Sequence, residues 1–79
     1  MPRYFFDIHD GRTLRDDEGV ELSGPQEAAQ HAKKVLPAIA VDEVPKDGEH
    51  QALSVVVTDE DGHAVYSAAV TYTGTWLIR

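Results

Sequence analysis

The chain begins with a run of aromatic residues, Tyr4, Phe5 and Phe6, followed by polar and apolar residues in alternation from Asp7 to His9, a pattern typical of a strand. Residues 3–9 carry aromatic and branched side chains, and the Asp10-Gly11 dipeptide after them favours a tight hairpin turn. Residues 12–16 form the return strand, in which Leu14 is the one large apolar residue. We therefore expect a hairpin whose second strand lies at an exposed sheet edge.

The alternation in this first strand divides its side chains between two faces. One set consists of Tyr4, Phe6 and Ile8. The other set consists of Phe5, Asp7 and His9. We expect the first set to face the helix and the second set to lie on the outer face of the sheet.

A helical period replaces the alternation after the first hairpin. Apolar residues recur at helical spacing at Ala28, Ala32, Val35, Leu36, Ile39 and Ala40. Ser23 is the predicted N-cap, because the Gly-Pro-Gln sequence after it matches a capping box with proline in the first turn. His31 falls on the opposite, solvent-facing arc. Pro37 predicts a kink, or a helix that ends and resumes as a short turn, with the segment complete by Val44-Pro45.

The second half of the chain repeats the hairpin pattern. A polar loop at 46–50 precedes an alternating segment at 53–58, an acidic turn at 59–62 and a further strand at 65–73. The order β-β-α-β-β predicts an α+β fold with one helix on one face of a single antiparallel four-stranded sheet. We expect the strand order 2-1-3-4, with the strand at 3–9 inside the sheet.

Length and composition limit the domain organisation. The chain has 79 residues, of which 42% are hydrophobic, so we expect a single domain spanning 1–79 with one small core. The lack of cysteine excludes thiol catalysis, thiolate zinc sites and disulfides, and fits a cytoplasmic protein. Because the sequence contains neither a leader-like segment nor an apolar stretch of ~18 residues, we expect neither export nor membrane insertion.

The charge pattern limits the partners. The chain carries 14 acidic and 7 basic residues, a net charge of −7. Such a surface repels phosphate backbones, so we expect no nucleic-acid partner. A basic partner protein is compatible with this charge, although surplus acid more often serves solubility alone.

Asp7, His9 and Asp10 are the candidate metal ligands, because Asp7 and His9 share one strand face two positions apart. His63 opens the fourth strand at the opposite end of the sheet, roughly 20 Å from His9. The remaining histidines are not expected to join the group either. We therefore interpret these residues as a polar strand end beside a turn and predict no metal or cofactor. The acidic stretches before Gly19 and Gly62 likewise indicate turns, since both lack the rest of a calcium loop.

Catalytic patterns are missing as well. The sequence offers no nucleophile paired with a base and no glycine-rich phosphate loop beyond chance spacing. Ser54 and Ser67 fall in predicted strands without a glycine elbow. We therefore predict that the protein is not an enzyme.

The end of the chain is an apolar tail, residues 74–79. The strand before it, from Ala64 to Tyr72, contains no charge and no proline, so it lacks the devices that normally keep a sheet edge from pairing. We expect a homodimer with the interface residues Tyr72, Trp76, Leu77 and Ile78. The alternative is a tail that folds back over its own outer face near Phe5. The function that we expect is a small self-associating structural or interaction domain, and the alternative is an acidic module that binds a basic partner.

Three stretches resemble a family of short bacterial proteins filed as a domain of unknown function: MPRYFFDIHDG at the start, DDEGVEL at 16–22 and VTDEDG at 57–62. The resemblance covers nearly the whole chain and implies a compact cytoplasmic domain without an assigned activity. A weaker resemblance, in layout alone, links the hairpin, capped helix and following strand to HicB-type antitoxins. That layout implies an acidic module that neutralises a basic protein.

Overall fold

The structure, a computed structural model, describes residues 1–46 and 48–78. Position 47 of the predicted loop and position 79 of the predicted tail lie outside the described residues. In chain order the elements are β1 (Arg3–His9), β2 (Thr13–Leu14), β3 (Val20–Glu21), α1 (Pro25–Glu43), a 3-10 turn (Val44–Lys46), β4 (His50–Thr58) and β5 (Ala64–Thr73). The fold is α+β, with one helix and an antiparallel sheet, as the sequence predicts.

The sheet has five strands, so the predicted count of four is wrong. The path β2-β1-β4-β5 corresponds to the predicted order 2-1-3-4. The predicted order lacks β3, which pairs with β1 outside this path. The predicted return strand at 12–16 pairs only through Thr13 and Leu14. The chain then leaves the sheet and returns at Val20, which pairs with Tyr4. Two short strands, β2 and β3, therefore pair with the same edge of β1, and a polar loop separates them.

The hydrophobic core lies between α1 and one face of the sheet. In β1 the side chains of Tyr4, Phe6 and Ile8 are only 5%, 7% and 8% exposed, which confirms the predicted register. The other buried apolar residues are Ala28, Ala32, Leu36, Leu53, Val55 and Val57. The buried residues of β1 and β4 lie opposite one another, since Phe6 pairs with Val57 and Ile8 pairs with Val55.

Helix α1 differs from the prediction at its start. Its N-cap is Gly24 and not Ser23, so the helix has no side-chain cap hydrogen bond at its N-terminus. The backbone N–H of Ser23 instead donates to Glu27 Oε1 at 2.6 Å. The carboxylate of Glu27 accepts this bond, and its pKa is lowered by that backbone bond and by a side-chain bond from Ser23. Glu27 thus ties the helix to the residue before its N-cap, whereas the predicted side-chain cap of Ser23 on the first turn is not formed.

The structure also shows how Pro37 and His31 are placed in α1. Pro37 lies inside the helix, which runs to Glu43 and is followed directly by the 3-10 turn. His31 does not lie on the solvent-facing arc, because its ring centroid is 4.7 Å from that of Phe6 at an interplanar angle of 57°. The histidine therefore packs over the core edge. Among the described residues, no helix is long and apolar enough to cross a membrane.

The hairpin of β4 and β5 is the longest part of the sheet. Its register runs from the pair His50–Thr73 to the pair Thr58–Ala64, with a bulge beside Val57. The pairing of β1 with β4 ends at Ser54, so the hairpin extends beyond β1. The molecule measures 55 × 21 × 18 Å. Its radius of gyration of 14.4 Å exceeds the about 12 Å of a compact domain of this length, which reflects the projecting hairpin and tail.

Candidate functional site

The interruption between β2 and β3 is filled by one carboxylate, that of Asp16. Asp16 Oδ2 accepts the backbone N–H of Phe6 at 3.1 Å, in the position where a neighbouring strand would offer a carbonyl. Asp16 Oδ1 accepts the N–H groups of Glu18 and Gly19 at 3.1 and 3.0 Å. The backbone N–H of Asp16 donates to Asp7 Oδ1 at 2.9 Å. The loop is therefore fixed to the strand by polar contacts in both directions.

Gly19 lets this loop approach β1 closely. Its φ is +72°, a left-handed conformation that side chains disfavour. A Cβ atom on Gly19 would lie 2.8 Å from the backbone oxygen of Tyr4 and 2.9 Å from Phe5 Cε2. Arg3 fastens the same loop, because its Nη1 donates to the carbonyl oxygen of Glu18 at 2.8 Å. Glycine is required at this position both for its conformation and for its lack of a side chain.

The environment of Asp16 lowers its pKa. Partial burial raises the pKa, since it penalises the charged form, but the backbone bonds from Gly19, Phe6 and Glu18 together outweigh that effect. The carboxylate is therefore held in its ionised form near neutral pH. Because its lone pairs accept backbone bonds, Asp16 serves the fold and is not free to act as a general base.

A second acidic turn lies between β4 and β5. Asp59 Oδ1 accepts the backbone N–H groups of Asp61 and His63, both at 2.9 Å. The backbone bond from His63 is the main reason that the pKa of Asp59 is lowered. The side-chain bonds repeat the pattern of Asp16, so the stretches before Gly19 and Gly62 are both turns built around one aspartate, as the sequence indicates.

An open cleft of about 310 Å³ lies between the two acidic turns. It is lined by Phe5, Asp7, Arg15, Asp16, Asp17, Thr58, Asp59, Glu60 and Gly62. Five of these residues are acidic and one, Arg15, is basic. The ring of Phe5 adds an apolar wall on the outer face of the sheet. Such a cleft suits a cationic side chain better than an anion.

The three predicted metal candidates contact separate neighbours. Asp7 binds the loop through the N–H of Asp16, and His9 Nδ1 lies 3.0 Å from Thr13 Oγ1. Asp10 Oδ1 is buried without a hydrogen bond among the described residues, 3.9 Å from Arg12 Nε.

A different group, absent from our sequence-based candidates, brings metal-ligand atoms together within the described ranges: Asp59, Asp61 and His63, whose ligand atoms all lie within 4.8 Å of one another. Asp61 and His63 are exposed, and Asp59 Oδ1 already accepts two backbone bonds. His63 lies 3.7 Å from Asp59 Oδ2 through its Nδ1. The cluster is therefore accounted for by the turn itself.

The free edge of β5 and the tail after it carry several exposed apolar residues. Within residues 1–46 and 48–78, β5 pairs with β4 and has no strand on its other side. The predicted interface residues are exposed: Tyr72 by 44%, Trp76 by 74%, Leu77 by 92% and Ile78 by 77%. The tail does not fold back over Phe5, since these exposures leave its side chains uncovered by their own chain.

The base of the tail is held by one backbone bond, from the N–H of Gly74 to the carbonyl oxygen of Glu49 at 2.7 Å. A cleft of about 250 Å³ opens beside it, lined by Glu49, Tyr72, Gly74, Thr75 and Trp76. The tail is thus anchored at Gly74 and uncovered beyond it.

Asp16 is the structural residue that sequence reasoning missed. The stretch from Asp16 to Gly19 indicates a turn, and the structure contains one, but nothing local signals that the carboxylate also reaches the backbone of Phe6. The predicted interface residues, in contrast, stand out in the sequence by their apolar character in an uncharged segment, and their role as an interface stays a prediction.

Comparison with known proteins places the chain in a family without assigning it an activity. No curated protein and no solved structure is significantly similar to it. A family model described as a domain of unknown function, DUF6894, matches residues 3–71. The match spans most of the chain, from the first residue of β1 into β5, and so the chain belongs to the DUF6894 family.

Proposed function

We propose that this protein is a small non-enzymatic interaction domain that associates with itself through the free edge of β5. The observation that carries the proposal is the lack of any charge from Ala64 to Ile78, along an edge that has no strand neighbour in the described chain. Exposed edge strands usually carry charges or proline that prevent pairing. The bulge beside Val57 affects only the first residues of β5 and leaves the strand regular from Tyr66 onward.

The net charge of the chain also favours the edge of β5 as the site of self-association. Two copies that each carry −7 repel one another wherever their acidic surfaces meet. Residues 64–78 contribute no charge to this repulsion, although Glu49 lies beside Tyr72 and Gly74 at the end of the strand. Pairing there also hydrogen-bonds the backbone groups that the edge leaves exposed. A small domain with a thin core gains stability from such a contact.

The test is the mass of the full chain in solution, measured by light scattering after size exclusion at micromolar concentrations. We expect twice the mass of the single chain, and a monomer for Ala69→Lys, which places a charge in the middle of β5. Ala38→Lys is the matched control, since Ala38 is exposed on α1 and the substitution changes the net charge equally. A monomeric full chain, or equal dimerisation of both variants, would overturn the proposal.

A second candidate function, binding of a basic partner protein, is favoured by the acidic cleft beside Phe5. The cleft offers several carboxylates next to an aromatic ring, a combination that suits an arginine side chain. The layout resemblance to HicB-type antitoxins favours the same class of partner. This candidate does not exclude self-association, because the cleft and the β5 edge involve different residues.

The probe for this second function is a nona-arginine peptide, titrated by calorimetry at low and at physiological salt. Asp17→Asn, in the cleft, should weaken binding by about threefold. Asp42→Asn, an exposed substitution on α1 with the same change in charge, should leave the affinity unchanged. Equal losses in both variants would show that only net charge attracts the peptide and would refute a role for the cleft.

A further inference from the structure

We infer that the tail is part of the interface, and that two copies pair their β5 strands and tails antiparallel around a two-fold axis at Thr71. This inference rests on the proposed self-association and adds the register of the contact. We use the name arm for residues 74–78. In this register Trp76 of one copy lies opposite Tyr66 of the second copy.

The arm pairs with no strand among the described residues of its own chain. The ladder between β4 and β5 ends in the bond from Gly74 N–H to the carbonyl oxygen of Glu49. Beyond Gly74 the arm has no regular secondary structure among the described residues. The side chains of Trp76, Leu77 and Ile78 are 74%, 92% and 77% exposed. Contact of these three successive apolar residues with another surface would be favourable, since exposing apolar area to water costs free energy.

The uncharged stretch determines the register. It runs from Ala64 to Ile78, and its central residue is Thr71. An antiparallel pair of identical strands related by a two-fold axis places each residue opposite its mirror position about the centre. Pairing about Thr71 therefore matches the whole uncharged stretch of one copy with that of the other. A centre nearer the start of β5 would place the end of the arm against the acidic turn that begins at Asp59, and a centre nearer the arm would leave the first residues of β5 without a partner.

The side chains then meet in suitable pairs. Tyr66, Ala68 and Val70 pack towards the core on the helix side of the sheet. In a strand that continues this alternation, Trp76 lies on the same side, where it meets the partner's Tyr66 as an aromatic pair. Leu77 lies on the opposite face and comes opposite the partner's Val65, the 37% exposed residue at the bulge. The pairing thus covers exposed apolar side chains on both faces.

The area supports a second copy as the occupant. At their observed exposures the three apolar side chains of the arm present roughly 500 Å² per copy, compared with the about 800 Å² that each partner contributes to a standard interface. The free edge of β5 adds to this area. A two-fold contact uses the same surface on both copies, so no separate complementary partner is needed.

The experiment uses the lack of cysteine in the chain. In Thr71→Cys, the two thiols lie opposite one another across the axis, with Cα atoms about 4.5–5.5 Å apart, a distance at which a disulfide forms. Ser67→Cys is the matched control, because Ser67 is also exposed in β5 but lies opposite Thr75. We expect Thr71→Cys to form covalent dimers at least about tenfold faster under mild oxidation, since only its thiols are within disulfide range.

Trp76 provides a second readout, since it is the one tryptophan of the chain. We expect its emission to shift to shorter wavelength as the concentration rises through the dimerisation range. Dimers by light scattering with water-exposed Trp76 emission, or with faster cross-linking through Ser67→Cys, would overturn this inference and leave self-association intact. A monomer at all concentrations would refute both.

Discussion

The carboxylate of Asp16 accepts the backbone N–H of Phe6 at 3.1 Å and so takes the place of a strand in the gap between β2 and β3. A side chain thereby accepts a hydrogen bond from a backbone N–H of β1. Without it, this N–H would bind water or stay unpaired, because no strand of the described chain lies beside it there. The same carboxylate orders the loop by accepting the N–H groups of Glu18 and Gly19. One residue therefore couples the loop to the core strand.

Asp16→Ala should lower the free energy of unfolding by about 2 kcal/mol, because it removes charge-assisted bonds to partly buried backbone donors. Urea denaturation followed by circular dichroism measures this loss. Asp17→Ala is the control, since the neighbouring Asp17 is exposed, and it should change stability by less than about 0.5 kcal/mol. Equal effects of both substitutions would contradict the role given to Asp16.

Stability should fall in acid, and Asp16 should contribute to the fall. A carboxylate whose pKa is lowered in the folded state stabilises the protein above its unfolded pKa of about 3.9. That contribution is lost as the pH falls through the lower folded pKa of Asp16. The difference in unfolding free energy between the native chain and Asp16→Asn should therefore be constant from pH 7 to 5 and shrink below pH 4, as measured by urea denaturation at each pH. A difference that grows in acid would have the wrong sign.

Phe6→Ala should cost about 3–5 kcal/mol, close to the whole stability of a domain of this size, because it leaves a cavity between the sheet and α1. Phe6 is 7% exposed and also contacts the ring of His31. Phe5→Ala, on the half-buried outer face, should cost clearly less. Thermal unfolding of both variants provides the comparison, and Phe6→Leu gives a measurable value if Phe6→Ala is unfolded. A larger loss for Phe5→Ala would contradict the observed faces of β1.

Gly19→Ala should lower stability by more than about 2 kcal/mol, since its Cβ would meet the backbone of Tyr4 at a positive φ. Gly62→Ala isolates the conformational part of this cost. Gly62 also has a positive φ, of +85°, but open space surrounds its missing side chain. Its substitution should cost only about 1 kcal/mol in the same denaturation experiment. Similar losses in both variants would show that the close approach to β1 contributes little.

Periodicity alone predicted the parts of the fold that depend on which face is apolar. The two faces of β1, the single helix and the long hairpin of β4 and β5 agree with the structure, since burial of alternate residues leaves a direct pattern in the sequence. The split of the return strand was not predicted, because it depends on a contact of Asp16 with a backbone group ten positions earlier in the chain. Local patterns contain no information about such a contact.

The two errors on α1 have a similar cause. Ser23 and Glu27 both supply side-chain oxygens at the helix start, and only the folded geometry decides that Glu27 accepts a backbone bond there, from Ser23 itself. His31 is polar, so its position on the helix suggested solvent, but the large ring of Phe6 reaches it from the sheet. Trp76, by contrast, is exposed because no surface of the described chain covers the tail.

The interrupted strand beside β1 makes the two borders of the sheet unequal. On one border β2 and β3 are two residues each, and the loop between them blocks the continuous backbone that an incoming strand needs. On the other border β5 presents ten residues without such a block. A molecule with two open borders adds further copies without limit and grows into a fibre, whereas one with a single open border ends any chain of sheets that it joins. If copies associate through β5 as proposed, the small loop around Asp16 limits growth by strand addition to a closed pair.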